Sequence, residues 1–209
     1  MFQNYDKTKK YIMKSNSEKI KQLISSRKKN DDFEKASASI KRVMIAKDVI
    51  EQIKSKSIIA DCVDYFNTVN YTRIGYTKKT KIGLQEILPQ IDTCSVCALG
   101  GIFYSIIAIN NKFKVDVIDQ EEGQVNDSLD SYKIKKRIRK LFSNYQMGLI
   151  ETAFEGEDFL PENCVNGKLS DNKYDELTRA KDFYDIITPD KRIIKIMKNI
   201  IKNEGKFKP

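Results

Sequence analysis

Apolar residues recur along the chain in a few clear rhythms, and the expected elements follow from them. The plainest lies near the C-terminus. Ile193, Ile196, Met197, Ile200 and Ile201 fall at i, i+3, i+4, i+7 and i+8, one face of an α-helix, with Pro189 in its first turn and Gly205 at its end. Ile40, Val43, Met44, Ile50 and Ile53 predict a helix over 40–54, with Lys41, Arg42, Lys47 and Glu51 off that face. In KIKKRIRKLF, residues 133–142, Ile134, Ile138 and Leu141 repeat at i, i+4 and i+7 while six basic residues fill the remaining face. Ser143 followed by Gln146 is a helix-start signature, and it predicts a helix through Phe154 that stops at Gly156. A further helix is expected over 175–187.

The stretch DTCSVCALGGIFYS, residues 92–105, follows a different rule. From Cys94 to Ile109 apolar residues occupy every side: Val96, Leu99, Ile102, Phe103, Ile106, Ile107 and Ile109. A helix without a polar face belongs at the centre of a core. At about 24 Å it is too short to cross a bilayer. Gly100 and Gly101 cost helix propensity, roughly 1 kcal/mol each, which predicts a close approach of another backbone.

Elsewhere the pattern is short or polar. SIIADCVDYF, residues 57–66, is β-branched and predicts a strand; 67–81 reads as loop with a hairpin strand near 71–76; 83–88 is a helical turn stopped by Pro89; 110–130 and 157–172 read as loops. The expected fold class is α+β, mainly helical, with a central buried apolar helix surrounded by amphipathic helices and a small β-element. Residues 1–39 stand apart. Ser15 and Glu18 fit a capping box for a short helix over 18–27, residues 28–39 lack a period and read as linker, and the arm is strongly basic up to Lys29. The expected organisation is a basic N-terminal arm and linker, 1–39, and one globular, helix-rich domain, 40–209.

Charge narrows the class of partner. Lys and Arg number 38 against 29 Asp and Glu, a net charge of +9, which favours nucleic acid, an anionic membrane or an acidic protein. A lysine- and isoleucine-rich coding bias gives the same balance. No apolar run reaches the ~18 residues of a membrane span, and MFQNYDKTKKYIMKSNSEK lacks the apolar centre of a secretory signal. The expectation is a protein that stays in the cytoplasm of the cell that makes it and has no membrane partner. The chain has no histidine, which removes Ser-His-Asp and Cys-His catalysis and every imidazole metal site.

Three groups of residues are candidates for chemistry. Cys94 and Cys97 form a Cys-x-x-Cys pair, and with Cys62 and Cys164 they suggest a four-thiolate zinc or iron–sulfur site, or redox chemistry at a helix start. The favoured reading is core packing, because the pair runs into Ala-Leu-Gly-Gly-Ile-Phe rather than a polar turn. No metal and no cofactor are expected. Asp116, Asp119, Glu121, Glu122, Asp127 and Asp130 cluster without the spacing of a calcium loop; an enzyme acting on a nucleotide signal would hold Mg²⁺ with Asp116, Asp119 or Glu122, the least favoured reading. The basic group is the strongest. Lys133, Lys135, Lys136, Arg137, Arg139 and Lys140 are suited to phosphates or acidic protein, and Lys9 and Lys10 of the arm, with Lys7 and Lys14, can add to them. No sequence-reading motif accompanies them.

Four segments in order carry a resemblance. They are RVMIAKDVI (42–50), CSVCALGGIF (94–103), LIETAFE (149–155) and RIIKIMKNIIKNEGKFKP (192–209). Over about residues 40–209 they resemble a widespread set of small, uncharacterised phage and prophage proteins with "RVxIAKDVI", "CxVCALGA" and "RLxxIMxNIIxNxGxFxP" motifs. Gly101 stands where that pattern has Ala. The resemblance brings no catalytic residues. It implies a phage accessory protein working in the host, one that binds and inhibits or modulates a host defence protein or ribonucleoprotein in the anti-CRISPR manner. An RNA-guided nuclease is the candidate target. Non-specific RNA or DNA binding and a cysteine-based metal or redox role stay open beside it.

Overall fold

The computed structural model describes residues 30–61, 67–71, 80–83, 91–110, 114–117, 131–157, 170–186 and 188–209. The chain divides into two compact units, 1–35 and 36–209. Of the first, residues 30–35 are described and helical, so the linker reading of 28–39 does not hold there. The linker also closes earlier than expected. Ser37 adopts extended backbone and its side chain accepts from Ile40 N–H, so the helix begins at Ala38.

The second unit is α+β and mainly helical. Its described helices are α1 (Ala38–Lys54), α2 (Ala98–Ile109), α3 (Ser131–Ile138), α4 (Asn144–Glu155), α5 (Asp171–Lys181) and α6 (Pro189–Lys202). Its described strands are β1 (Ile58–Ala60), β2 (Asn67–Tyr71), β3 (Thr80–Gly83), β4 (Ile91–Val96) and β5 (Lys114–Val117). One sheet runs β1-β4-β2, with β1 parallel to β4 (Ile58 opposite Cys94, Ala60 opposite Val96) and β2 antiparallel (Thr68 opposite Cys94, Tyr71 opposite Ile91). β3 and β5 pair antiparallel, Thr80 opposite Val117 and Gly83 opposite Lys114.

α2 is the centre of the core. Every residue from Ala98 to Ile107 is buried, as is Ile109. It is packed by α1, α3 and α4. α1 lies along α6, whose Ile193, Ile196, Met197 and Ile200 are fully enclosed. Gly101 marks the close approach. A Cβ there would lie 3.2 Å from Ile193 Cδ1, 3.5 Å from Val49 Cγ1 and 3.6 Å from Val96 Cγ2. Side chains of α6, α1 and β4 make the approach, not the second backbone that the glycine pair suggested.

Several local expectations are corrected. The predicted helix Cys94–Ile109 begins only at Ala98, because Ile91–Val96 is β-branched at three positions and finds partners on both sides in β1 and β2. The loop readings of 67–81 and 110–130 give way to strands at 67–71, 80–83 and 114–117, each held by a partner distant in sequence. The expected strand near 71–76 lies outside the described residues beyond Tyr71, as do 62–66 of the strand reading of 57–66, and so does the turn 84–88. The helix expected over 175–187 spans Asp171–Lys181 instead, with Ser170 at its N-cap position and turn backbone after Lys181. On α1 the buried stripe is Ile45, Ala46, Val49, Ile50 and Ile53, whereas Ile40 is 55 % exposed. The observed face is rotated from the expected one, and Ile40, in the first turn, faces solvent.

Candidate partner-binding site

α3 is short, and its charges are placed by two apolar anchors. Ile134 and Ile138 are fully buried against α2, which fixes the helix by one face. The chain then tightens into a turn: Arg139 N–H donates to Lys135 C=O (2.8 Å), and the N–H groups of Leu141 and Phe142 both donate to Ile138 C=O (2.9 Å each). Arg42 of α1 fastens this turn. Its Nη1 donates to Leu141 C=O (2.8 Å), its Nε to Gly205 C=O (2.6 Å), and its guanidinium lies 5.9 Å from the Phe142 ring centroid. Ser143 ends the turn and opens α4, accepting from Gln146 N–H at 3.2 Å.

On this mount Lys136, Arg139 and Lys140 are exposed and Arg137 is half-buried. Lys135 is drawn away: its Nζ lies 3.1 Å from Glu151 Oε1 on α4, and that carboxylate is almost wholly enclosed. Lys135 therefore belongs to the fold as a partner of a buried acid. Lys133 is on α3, but its side chain lies outside the described residues, as do Lys7, Lys9, Lys10 and Lys14.

The Cys-x-x-Cys pair is split between two elements. Cys94 is in β4 and Cys97 is the N-cap of α2, its Sγ accepting from Gly100 N–H at 3.4 Å. Burial pushes the Cys97 thiol up to about 12, and the nearby Glu155 and Glu151 carboxylates add to that. In this setting it is a shielded capping thiol that burial holds in the protonated form. Among the described residues no three Cys, Asp or Glu side chains converge as a metal site. Cys62 and Cys164 lie outside them. Asp116 sits in β5 opposite Lys81; Asp119, Glu121, Glu122, Asp127 and Asp130 lie outside the described residues.

A polar cluster that the sequence reading passed over adjoins Cys97. Arg192, in the first turn of α6, is buried. Its Nη1 donates to Phe154 C=O at the end of α4, and its Nε (3.2 Å) and Nη2 (2.9 Å) both donate to Ile186 C=O. Its guanidinium stacks over Tyr184 at 4.2 Å and Phe154 at 5.6 Å. Glu155 faces the same group. Desolvation pushes its carboxyl up to about 7; Arg192 opposes the rise, while Glu151, Glu157 and Asp61 add to it. The signal was present in the sequence: Glu151 and Glu155 lie at i, i+4 within LIETAFE, and Arg192 opens the final helix.

Compared with known protein families, with curated proteins and with solved structures, the chain finds no match. No described helix is long and apolar enough to cross a membrane.

Proposed function

We propose that this is a phage accessory protein that acts by binding, and that it inhibits or modulates a host defence complex, an RNA-guided nuclease being the candidate target. The observation that carries the reading is the basic turn after α3. Lys136, Arg139 and Lys140 project from a segment that Ile134, Ile138 and Arg42 hold to the core. Because the backbone of this segment is already held, docking need not order it, so its charges suit an anionic protein or ribonucleoprotein surface. The phage setting rests on the four-motif resemblance. Cys97, capping α2 as a neutral thiol, lends support to binding over thiol chemistry.

The test is affinity capture from host lysate with and without nuclease, using wild type and a variant carrying Lys136→Gln, Arg139→Gln and Lys140→Gln. One defence protein should survive nuclease with wild type and fall about tenfold or more with the variant, equivalent to ~1.4 kcal/mol. Retention of the wild-type far-UV spectrum by the variant shows that its fold is intact. Recovery of diffuse nucleic acid alone, lost on nuclease treatment, would sink the proposal.

A further inference from the structure

α6 was expected to serve the core, and its inner face does. Its outer face has a pattern of its own. Lys191, Lys195, Lys198 and Lys202 follow one another at intervals of four, three and four residues, and all four are exposed. At 3.6 residues per turn these positions fall within about 60° of arc, opposite the enclosed Ile193, Ile196, Met197 and Ile200. The row is about 16 Å long at 1.5 Å per residue.

A fifth lysine is fixed beside it. The Asn199 side chain clamps the backbone of Lys208 from both sides: Nδ2 donates to Lys208 C=O (2.6 Å), and Lys208 N–H donates to Oδ1 (2.9 Å). Phe207, fully buried, pins the same strand of chain, and Lys208 remains exposed. Among the described residues no carboxylate pairs with Lys191, Lys198 or Lys202. Lys195 lies over the Phe183 ring at 4.8 Å, a contact that leaves its charge intact. Of the acids at the helix ends, Asp190 accepts from Ala60 N–H, and Glu204 lies beyond Lys202.

We propose that the outer face of α6, formed by Lys191, Lys195, Lys198 and Lys202 with Lys208 alongside, binds the phosphate backbone of a nucleic acid without reading its sequence. The proposal does not depend on the reading of the turn after α3. Its charges repeat at a short, regular interval along a straight line, and so do the phosphates of a strand; about 16 Å is the axial run of about five nucleotides. An acidic protein surface offers such a row only where a helix or strand happens to align its carboxylates, whereas every nucleic-acid strand offers one. Lysine is a compact point charge on a flexible stem and lacks the planar fork that reads base edges, which matches contact with phosphate alone. A bilayer surface fits poorly, because the apolar face that an interfacial helix must insert is already enclosed in the core.

The experiment is a salt titration of full-length protein against a labelled 20-nucleotide RNA strand, the DNA strand of the same sequence, and its DNA duplex. The variants are the quadruple Lys→Gln at 191, 195, 198 and 202, the quadruple Lys→Arg, and the α3 triple variant. Wild type should bind all three probes, and the plot of log affinity against log salt should be steep. The Lys→Gln protein should lose about 3 from that slope, at roughly 0.7–0.9 per released phosphate contact. The Lys→Arg protein should keep it. Comparable affinity for RNA and DNA strands supports a backbone contact, and a preference for strand or duplex identifies the form taken. An unchanged slope in the Lys→Gln protein overturns the proposal, as does loss of slope only in the α3 variant. Competition by polyglutamate equal to that by the RNA strand, charge for charge, also overturns it.

Discussion

The interior arginines and the outward basic residues carry the same charge and serve opposite ends. Arg42 and Arg192 point inward, and each is consumed by backbone carbonyls and an aromatic face: Leu141, Gly205 and Phe142 for the first, Phe154, Ile186 and Tyr184 for the second. Lys136, Arg139, Lys140 and the α6 lysines point to solvent. The inward pair join elements that are otherwise far apart in sequence, since Arg42 links α1 to the C-terminal tail and Arg192 links α6 to the end of α4. Net charge cannot distinguish these two populations. Their partners do: Arg42 and Arg192 each reach carbonyls of elements distant in sequence, so both belong to the scaffold.

The difference can be broken from the inside first. Arg192→Ala strands the carbonyls of Phe154 and Ile186 and removes the cation from Tyr184, so unfolding in urea should show a loss of about 3 kcal/mol. A loss below ~1 kcal/mol would mean that the carbonyl network does not hold the start of α6. Gly205→Ala attacks the other anchor. Gly205 has φ +91°, and a Cβ there would sit 2.6 Å from Ser39 C=O and 3.1 Å from Arg42 Cβ. The expected cost is about 2 kcal/mol, read as a fall in Tm, with the far-UV spectrum retained. Restoration of wild-type Tm by a D-alanine at 205 in a semisynthetic chain would assign the loss to the L side chain, through its strain at positive φ and its contact with Ser39.

Glu155 gives a smaller effect with a definite sign. Its carboxyl is raised from 4.5 to about 7, so the fold favours the protonated form. That contribution is fully present below the unfolded value and is lost as pH rises through about 7. Glu155→Gln removes the titration. The variant should therefore gain Tm relative to wild type between pH 5 and pH 8, and a parallel pH profile for the two proteins would contradict the buried-carboxyl account. Loss of the outward Lys191, Lys198 and Lys202 closes the series, because it should move nucleic-acid binding and leave Tm in place.

Helices were legible because the signal for each lies inside one short window. The α6 repeat, the Ser143–Gln146 cap and Gly156 at φ +80° all hold in the structure. β1 falls inside the strand predicted over 57–66, but the other strands were not legible in the same way. β2 reads Asn-Thr-Val-Asn-Tyr, polar and brief, and is a strand only because β4 lies beside it; β4 was absorbed into the apolar run that follows because Val96 and Ala98 are separated by the single cap residue Cys97. The face of α1 was misjudged for a related reason, since Ile40 counts as apolar in a periodicity while only tertiary packing decides that it faces water. Among candidate residues, composition located the basic run of 133–140 but could not assign Lys135 to Glu151, a pairing across two helices. The α6 lysines carry no separate sequence signal, because any amphipathic helix of this composition alternates charge with its isoleucine stripe.

One small contact bears on how the molecule keeps to itself. β1 is three residues long and stands at the edge of its described sheet, with Ile59 45 % exposed. An open edge of this kind is a template on which another chain can lay a strand. Here the Asp190 carboxylate accepts the Ala60 N–H at 2.9 Å. The edge donor is already taken, and an incoming strand meets a fixed negative charge where it would need a carbonyl. The acid in the first turn of the last helix thus adds to the shortness of β1 a second guard against strand addition by another chain.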